Sequence, residues 1–161
     1  MTGFEPGLFD KLFDDDRRGG AAPALRYLSL DEFKAAVARD LEALLNTRMM
    51  FTEEMLKAFP ECQRSTLTYG LNDFSGLSLA SFYDRGVICQ ELEDAIERHE
   101  SRLKDVVVTL EVESQASTSI LYFGITAKLA LSTQDEPVSF DALLQPTTLQ
   151  YSVQRNDGRP R

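Results

Sequence analysis

The chain has 161 residues, a mass of 18.1 kDa, 26 Asp and Glu against 17 Lys and Arg, a formal charge of −9 and a pI near 4.6. Apolar residues at 43% and charged residues at 27% argue against a disordered, collagen-like or purely coiled-coil chain. Two cysteines are too few for a disulfide framework, and the acidity argues against sequence-independent nucleic-acid binding or attachment to anionic lipid.

The start, Met1-Thr2-Gly3-Phe4-Glu5-Pro6, has neither a basic residue nor an apolar run, so no signal peptide is read there. The longest apolar-rich region, Ile120 to Leu131, is broken by Thr126 and Lys128 and is too short to span a bilayer. The expectation is a soluble cytoplasmic protein with Cys62 and Cys89 as reduced thiols.

Leu8, Phe9, Leu12 and Phe13 fall at i, i+1, i+4 and i+5, which places four large apolar side chains on one side of a short helix. An acidic-basic run and a Gly-Gly-Ala-Ala-Pro linker follow. So short a helix must dock, either on its own core or in a partner's groove; the Gly-rich spacer favours the partner.

Ser29-Leu30-Asp31-Glu32 reads as a capping box. Leu30, Phe33, Val37, Leu41, Leu44 and Leu45 then make a 3.6-period stripe, and the helix should end near Asn46-Thr47. Further on, Thr52 is expected to cap a short helix that Pro60 stops, Ser65 to Tyr69 reads as extended, and Tyr69-Gly70-Leu71-Asn72-Asp73 as a turn region. A second long helix is expected from about Ser81 to His99 on the stripe Phe82, Ile88, Leu92, Ala95 and Ile96. Gly86 argues for a start nearer Val87.

The last third changes period from 3.6 to 2. Val106, Val108, Leu110 and Val112 alternate with Val107, Thr109, Glu111 and Glu113, and Leu121, Phe123, Ile125, Ala127, Leu129 and Leu131 alternate with Tyr122, Thr126 and Lys128. A Ser/Thr/Gln-rich turn separates these two strands. Val138 to Leu144 and Thr148 to Val153 read as two further short strands. Helices first and strands afterwards imply an α+β domain. Its two main helices would pack on one face of a small antiparallel sheet of three to four strands, with the short N-terminal amphipathic helix on a linker. The other sheet face and the edges would be left for something else.

Catalytic patterns are weak. His99 is the one histidine and has no cysteine or second histidine at metal-ligand spacing, so no metal or other cofactor is expected. No nucleophile elbow, Walker loop or dinucleotide fingerprint is present. Glu97 and Glu100 stand beside Arg98 and Arg102. A general acid needs a raised pKa, and a neighbouring cation works against one. The expectation is an ion pair for structure or recognition, and no catalytic residue.

The order of features resembles one family. Gly-Leu-Phe-Asp-Lys-Leu opens the chain, Leu44-Leu45-Asn46-Thr47-Arg48 ends the first helix, and Tyr69-Gly70-Leu71-Asn72-Asp73 follows. Ile96-Glu97-Arg98-His99-Glu100-Ser101-Arg102-Leu103 then leads into Val106-Val107-Val108. This is similar to TssE, the family of small baseplate subunits of the bacterial type VI secretion system. That family belongs with the contractile-tail phage baseplate wedge proteins once labelled lysozyme-like. The family usually carries Glu-Pro-Arg after the second helix; here Glu100 and Arg102 match the outer positions and Ser101 replaces the proline.

The resemblance implies a structural protein that binds TssF and TssG in the wedge, meets TssK through them, and starts the TssB–TssC sheath by β-strand addition. It would sit in the cytoplasm, at the inner face of the inner membrane when assembled, with no nucleic acid, membrane insertion or small-molecule substrate. Leu8, Phe9, Leu12 and Phe13 would anchor it to the wedge. Glu100 and Arg102 would brace the helix-to-sheet corner or face a wedge partner. Sheath strands would pair with sheet edges among Val106, Val108 and Leu110, or Val138 and Phe140. Residues 1–20 would form the docking segment and linker, 21–153 the wedge domain, and 154–161 a flexible tail. The alternatives are a peptidoglycan-cleaving enzyme, as the old label suggests, and the equivalent wedge protein of a phage or extracellular contractile particle.

Overall fold

The computed structural model describes Phe4 and residues 27–51, 54–74, 76–78, 81–112, 121–131, 135–145, 147–156 and 158. The amphipathic segment with Leu8, Phe9, Leu12 and Phe13, the Gly-rich linker and the turn at 113–120 lie outside the described residues.

Helix α1 spans Leu30–Asn46. The capping box forms: Glu32 N–H donates to Ser29 Oγ at 3.3 Å, and Ser29 N–H donates to Glu32 Oε2 at 2.8 Å. Two orphan donors of the first turn are thereby satisfied. The expected stripe is buried at Phe33, Val37, Leu41, Leu44 and Leu45. Phe4 joins it, bridging to Leu28 and stacking on Phe33 with ring centroids 5.1 Å apart.

Helix α2 spans Phe82–His99 and so begins before Gly86, not after it. Ser81 caps the start by accepting from Asp84 N–H at 3.3 Å, and Asp84 Oδ2 accepts from Ser78 N–H at 2.8 Å. A cap of this kind contributes about 0.5–2 kcal/mol, enough to offset the cost of one glycine. Ile88, Leu92, Ala95 and Ile96 are buried, but Phe82 is 85% exposed and belongs to no core.

Between the helices, the expected cap Thr52 lies outside the described residues, residues 54–58 form turns, and Pro60 starts a helix. It occupies the first turn of a 3-10 helix over Pro60–Arg64, where its missing N–H costs nothing. Residues Thr66–Thr68 form a second 3-10 turn, not the extended piece expected. Ser65 Oγ accepts from Leu67 N–H at 3.2 Å, and Thr68 Oγ1 donates to Gln63 O at 2.8 Å. These local side-chain bonds compete with strand formation and prevail.

Four strands follow: β1 at Leu103–Val112, β2 at Leu121–Leu129, β3 at Glu136–Gln145 and β4 at Gln150–Arg155. They form one antiparallel sheet in the order β1-β2-β3-β4. The β1–β2 register slips between Lys104 and Val107, a bulge at which Asp105 takes φ 51°. β4 runs through Arg155, and Arg155 pairs with Asp31 at 2.9 Å, so the chain leaves the body later than residue 154.

Alternate strand residues point inward. Val106, Val108, Phe123, Ile125, Leu129, Phe140, Ala142, Tyr151 and Val153 share one buried cluster with the stripes of both helices. The opposite sheet face carries Lys104, Thr109, Thr126, Lys128, Ser152 and Gln154, all exposed. Among the described residues no helix is long and apolar enough to cross a membrane.

Candidate functional site

The C-terminal end of α2 turns sharply into β1. Glu100 caps the helix with its N–H on Ile96 O at 2.8 Å, and Leu103 N–H returns to Glu100 O at 3.0 Å. A four-residue turn therefore runs Glu100-Ser101-Arg102-Leu103, with Ser101 at the position a proline favours. Arg102 folds back across it. Its Nε donates to Glu100 Oε1 at 2.6 Å, its Nη2 to Glu100 Oε2, and its own N–H to Glu100 Oε1 at 3.1 Å. Nη2 also donates to Asp40 Oδ2 at 2.6 Å, and the guanidinium sits 5.7 Å from the Phe33 ring centroid.

Glu100 is 7% exposed, and its charge is met by the Arg102 guanidinium. Burial alone would lower the pKa of Arg102, but the hydrogen bonds and charges of Glu100, then those of Asp40, hold it above the ordinary arginine value. The cluster is a locked cation between two anions. It has the geometry of a bracket joining α1, α2 and the turn into β1.

His99, the last residue of α2, bonds Thr68 O through Nε2 at 2.8 Å and meets Tyr69 edge-on at 5.4 Å. Burial lowers its pKa, the Thr68 carbonyl works against that, and Arg98 adds to it. Nearby, two sequence pieces of the family resemblance come together. Leu71 N–H donates to Thr47 O at 2.9 Å and Met49 N–H to Leu71 O at 2.9 Å, so the Tyr-Gly-Leu segment pairs in parallel with the residues after α1. Gly70 takes φ 118°, and a Cβ there would lie 2.6 Å from Thr47 O. The contact admits no side chain.

These parts line a groove of about 1010 Å³, with Leu44, Tyr69, Glu100 and Arg102 among its lining residues. Met50, 84% exposed, and Leu67, 42% exposed, stand at its rim. Tyr69 there is pushed upward in pKa by burial and then by the charges of Asp40 and Glu100.

The other expected site residues divide. Val106, Val108 and Leu110 lie on β1, which is an edge of the sheet. Val138 and Phe140 lie on β3, which is paired with β2 on one side and β4 on the other. The expectation of a sheet edge at β3 is therefore corrected at Phe140, which pairs with Ile125 on one side and Arg155 on the other; among the described residues Val138 pairs with Ala127 alone, because the β4 pairing begins at Phe140. Nor are the outer strands bare, as had been expected. Val108 N–H on β1 donates to Glu93 of α2 at 2.8 Å. On β4, Tyr151 N–H donates to Asn46 and Val153 N–H to Glu42 of α1. Among the described residues no group of three or more metal-ligating side chains converges.

Residues 31–134 match the family model described as baseplate wedge protein gp25. The chain belongs to this family. No curated protein and no solved structure matches it. The baseplate wedge family is one of structural components and not of enzymes, which sets the peptidoglycan-cleaving alternative aside. The wedge match covers both helices, β1, β2 and the Glu100–Arg102 corner.

Proposed function

We propose that this wedge protein is the baseplate subunit of a type VI secretion system that joins the TssF–TssG wedge to the TssB–TssC sheath. The observation that supports this reading is the form of the sheet within a wedge-family chain. It is a meander whose ten-residue first strand, β1, has a partner on one side only. Backbone N–H and C=O groups of such an edge pair with an extended segment from another chain, and alternating side chains set its register.

In this reading Leu8, Phe9, Leu12 and Phe13 insert into the TssF–TssG wedge. The Glu100–Arg102 corner and its groove face a wedge subunit, TssK joins through the wedge, and sheath strands align along β1. The assembled protein works in the cytoplasm at the inner face of the inner membrane. Load during contraction passes through sheet hydrogen bonds in parallel, so no single contact carries it. The matched family is described by its baseplate role alone, which favours a second reading as the wedge subunit of a phage or extracellular contractile particle.

Affinity purification of the tagged full chain from its native host tests both. Recovery of TssF, TssG and sheath subunits is the expected result. Recovery of phage-type tail proteins in their place would select the second reading, and recovery of neither would refute both. Replacing Phe9 and Leu12 together with Asp should abolish recovery of TssF–TssG while the body stays folded. Unchanged recovery would refute the anchor.

A further inference from the structure

An antiparallel edge strand turns the N–H and C=O of alternate residues away from its neighbour. On β1 the Val108 N–H leaves the sheet and ends on Glu93 Oε1 at 2.8 Å, which puts Val108 and Leu110 in the outward set. One helical turn before Glu93 on α2 stands Cys89. Burial and then the Glu93 carboxylate raise the pKa of its thiol, with the Leu110 backbone opposing them. On β4 the arrangement recurs. Glu42 Oε2 takes the Val153 N–H at 2.9 Å, and Asn46 Oδ1, one turn later on α1, takes the Tyr151 N–H at 2.8 Å.

The recurrence has a metric cause. Residues four apart on a helix are about 6 Å apart along its axis. Residues two apart on a strand are about 6.6–6.8 Å apart. A helix laid antiparallel to an edge strand can thus set two side chains against two successive outward N–H groups. On β4 two side chains of α1 act as acceptors in this way, and on β1 one side chain of α2 does so at Val108.

The two seals differ in strength. On β4, Asn46 also donates from Nδ2 to Tyr151 O at 2.8 Å, and Arg48 Nη2 donates to Leu149 O at 3.3 Å. On β1, among the described residues, the seal is the one bond from the Val108 N–H to a Glu93 carboxylate oxygen.

We infer that β1 is the edge that accepts a foreign strand, and that Glu93 holds it shut in the free subunit by occupying the place of the incoming carbonyl at Val108. This rests on the sheath reading above and adds its control. The incoming strand's carbonyl replaces Glu93 Oε1 as acceptor, and the released carboxylate swings to water or to a basic side chain on the arriving segment. Glu97, exposed and one turn beyond Glu93 on the same flank of α2, adds a second carboxylate, so a segment bearing Lys or Arg beside that carbonyl suits the edge. The guard also prevents β1 from pairing with the β1 of a second copy.

The test uses the full chain with Glu93→Ala, with Glu93→Gln, which keeps an oxygen acceptor, and with Glu42→Ala as the β4 control. Amide hydrogen exchange on the isolated protein is read first. Exchange at Val108 should quicken about tenfold in Glu93→Ala and less in Glu93→Gln, with β2 and β3 unchanged. Affinity for purified TssB–TssC sheath subunits is read second. It should tighten by about three- to tenfold in Glu93→Ala and stay unchanged in Glu42→Ala, although exchange at Val153 quickens there. Unaltered exchange at Val108 would overturn the seal. Quicker exchange with weaker or unchanged sheath affinity would overturn the displacement, and tightening in Glu42→Ala would move the accepting edge to β4. Absence of sheath binding by every variant, with Val108 exchange quickened, would refute the sheath reading and leave the seal standing.

Discussion

Arg102, on the turn after α2, reaches Asp40 on α1 with Nη2 to Oδ2 at 2.6 Å while the same guanidinium grips Glu100. Residues 62 positions apart are thereby fixed at one corner, and one guanidinium ties the first helix to the turn that leads into β1.

Removing that side chain leaves Glu100 buried without its cation. Breaking a buried pair from one side costs about 3–5 kcal/mol, and the lower end applies here because Arg102 retains some exposure. Arg102→Ala should therefore lower the urea midpoint by an amount equivalent to about 3 kcal/mol. Replacing both partners, Glu100→Gln with Arg102→Met, should cost less than Arg102→Ala alone. A double variant that is the less stable would contradict the bracket.

Gly70 is expected to be intolerant of any side chain. Gly70→Ala combines a positive φ with a Cβ 2.6 Å from Thr47 O, and should cost about 1–3 kcal/mol. Thermal unfolding reads this directly. Proton chemical shifts should move most at Thr47, Arg48 and Leu71, the residues of the bridge. A neutral Gly70→Ala would mean that the crossing of these two segments is looser than described.

The proline absent from position 101 makes the opposite prediction. Glu100 sits at φ −110° and ψ 81°, outside the α region that a following proline disfavours. The Ser101 N–H makes no hydrogen bond with the other described residues. Ser101→Pro should raise stability by about 0.4–1 kcal/mol by restricting the unfolded chain. A fall in the denaturant midpoint would show that the Glu100–Leu103 turn needs the freedom of serine.

His99 gives a pH signature. Its folded pKa lies below the ordinary 6.5, chiefly through burial, so the unfolded chain binds the proton more readily. Stability should fall as pH drops below about 6.5, and the loss should level off below the folded value. His99→Gln should flatten this part of the stability profile. An identical slope in the variant would assign the effect to the carboxylates instead.

Much of the fold was legible because its causes are local. The Ser29–Glu32 capping box and the α1 stripe lie within single turns of the chain, and the period-2 strands declare their buried face residue by residue. Alternation names faces and not neighbours, however, so the interior place of β3 could not be read. Pro60 misled because the same ring both ends and begins helices. Ser65 to Thr68 misled because side-chain hydrogen bonds outweighed strand propensity. Glu100 and Arg102 were visible as a pair, but Asp40 was one acid among 26 Asp and Glu. The edge acceptors left a faint signal that was not used. Glu42 and Asn46 are a polar pair four residues apart on the flank of the α1 stripe, and Glu93 stands on the flank of the α2 stripe beside Leu92.

The most direct measurement is a cryo-electron microscopy map of the assembled baseplate with its first sheath ring, resolved well enough to trace β-strands. The account predicts a fifth strand from a sheath subunit beside β1, with its carbonyl on the Val108 N–H and Glu93 turned away. A four-stranded layer in the assembly, with Glu93 still on Val108 and no strand of another chain beside it, would contradict the account.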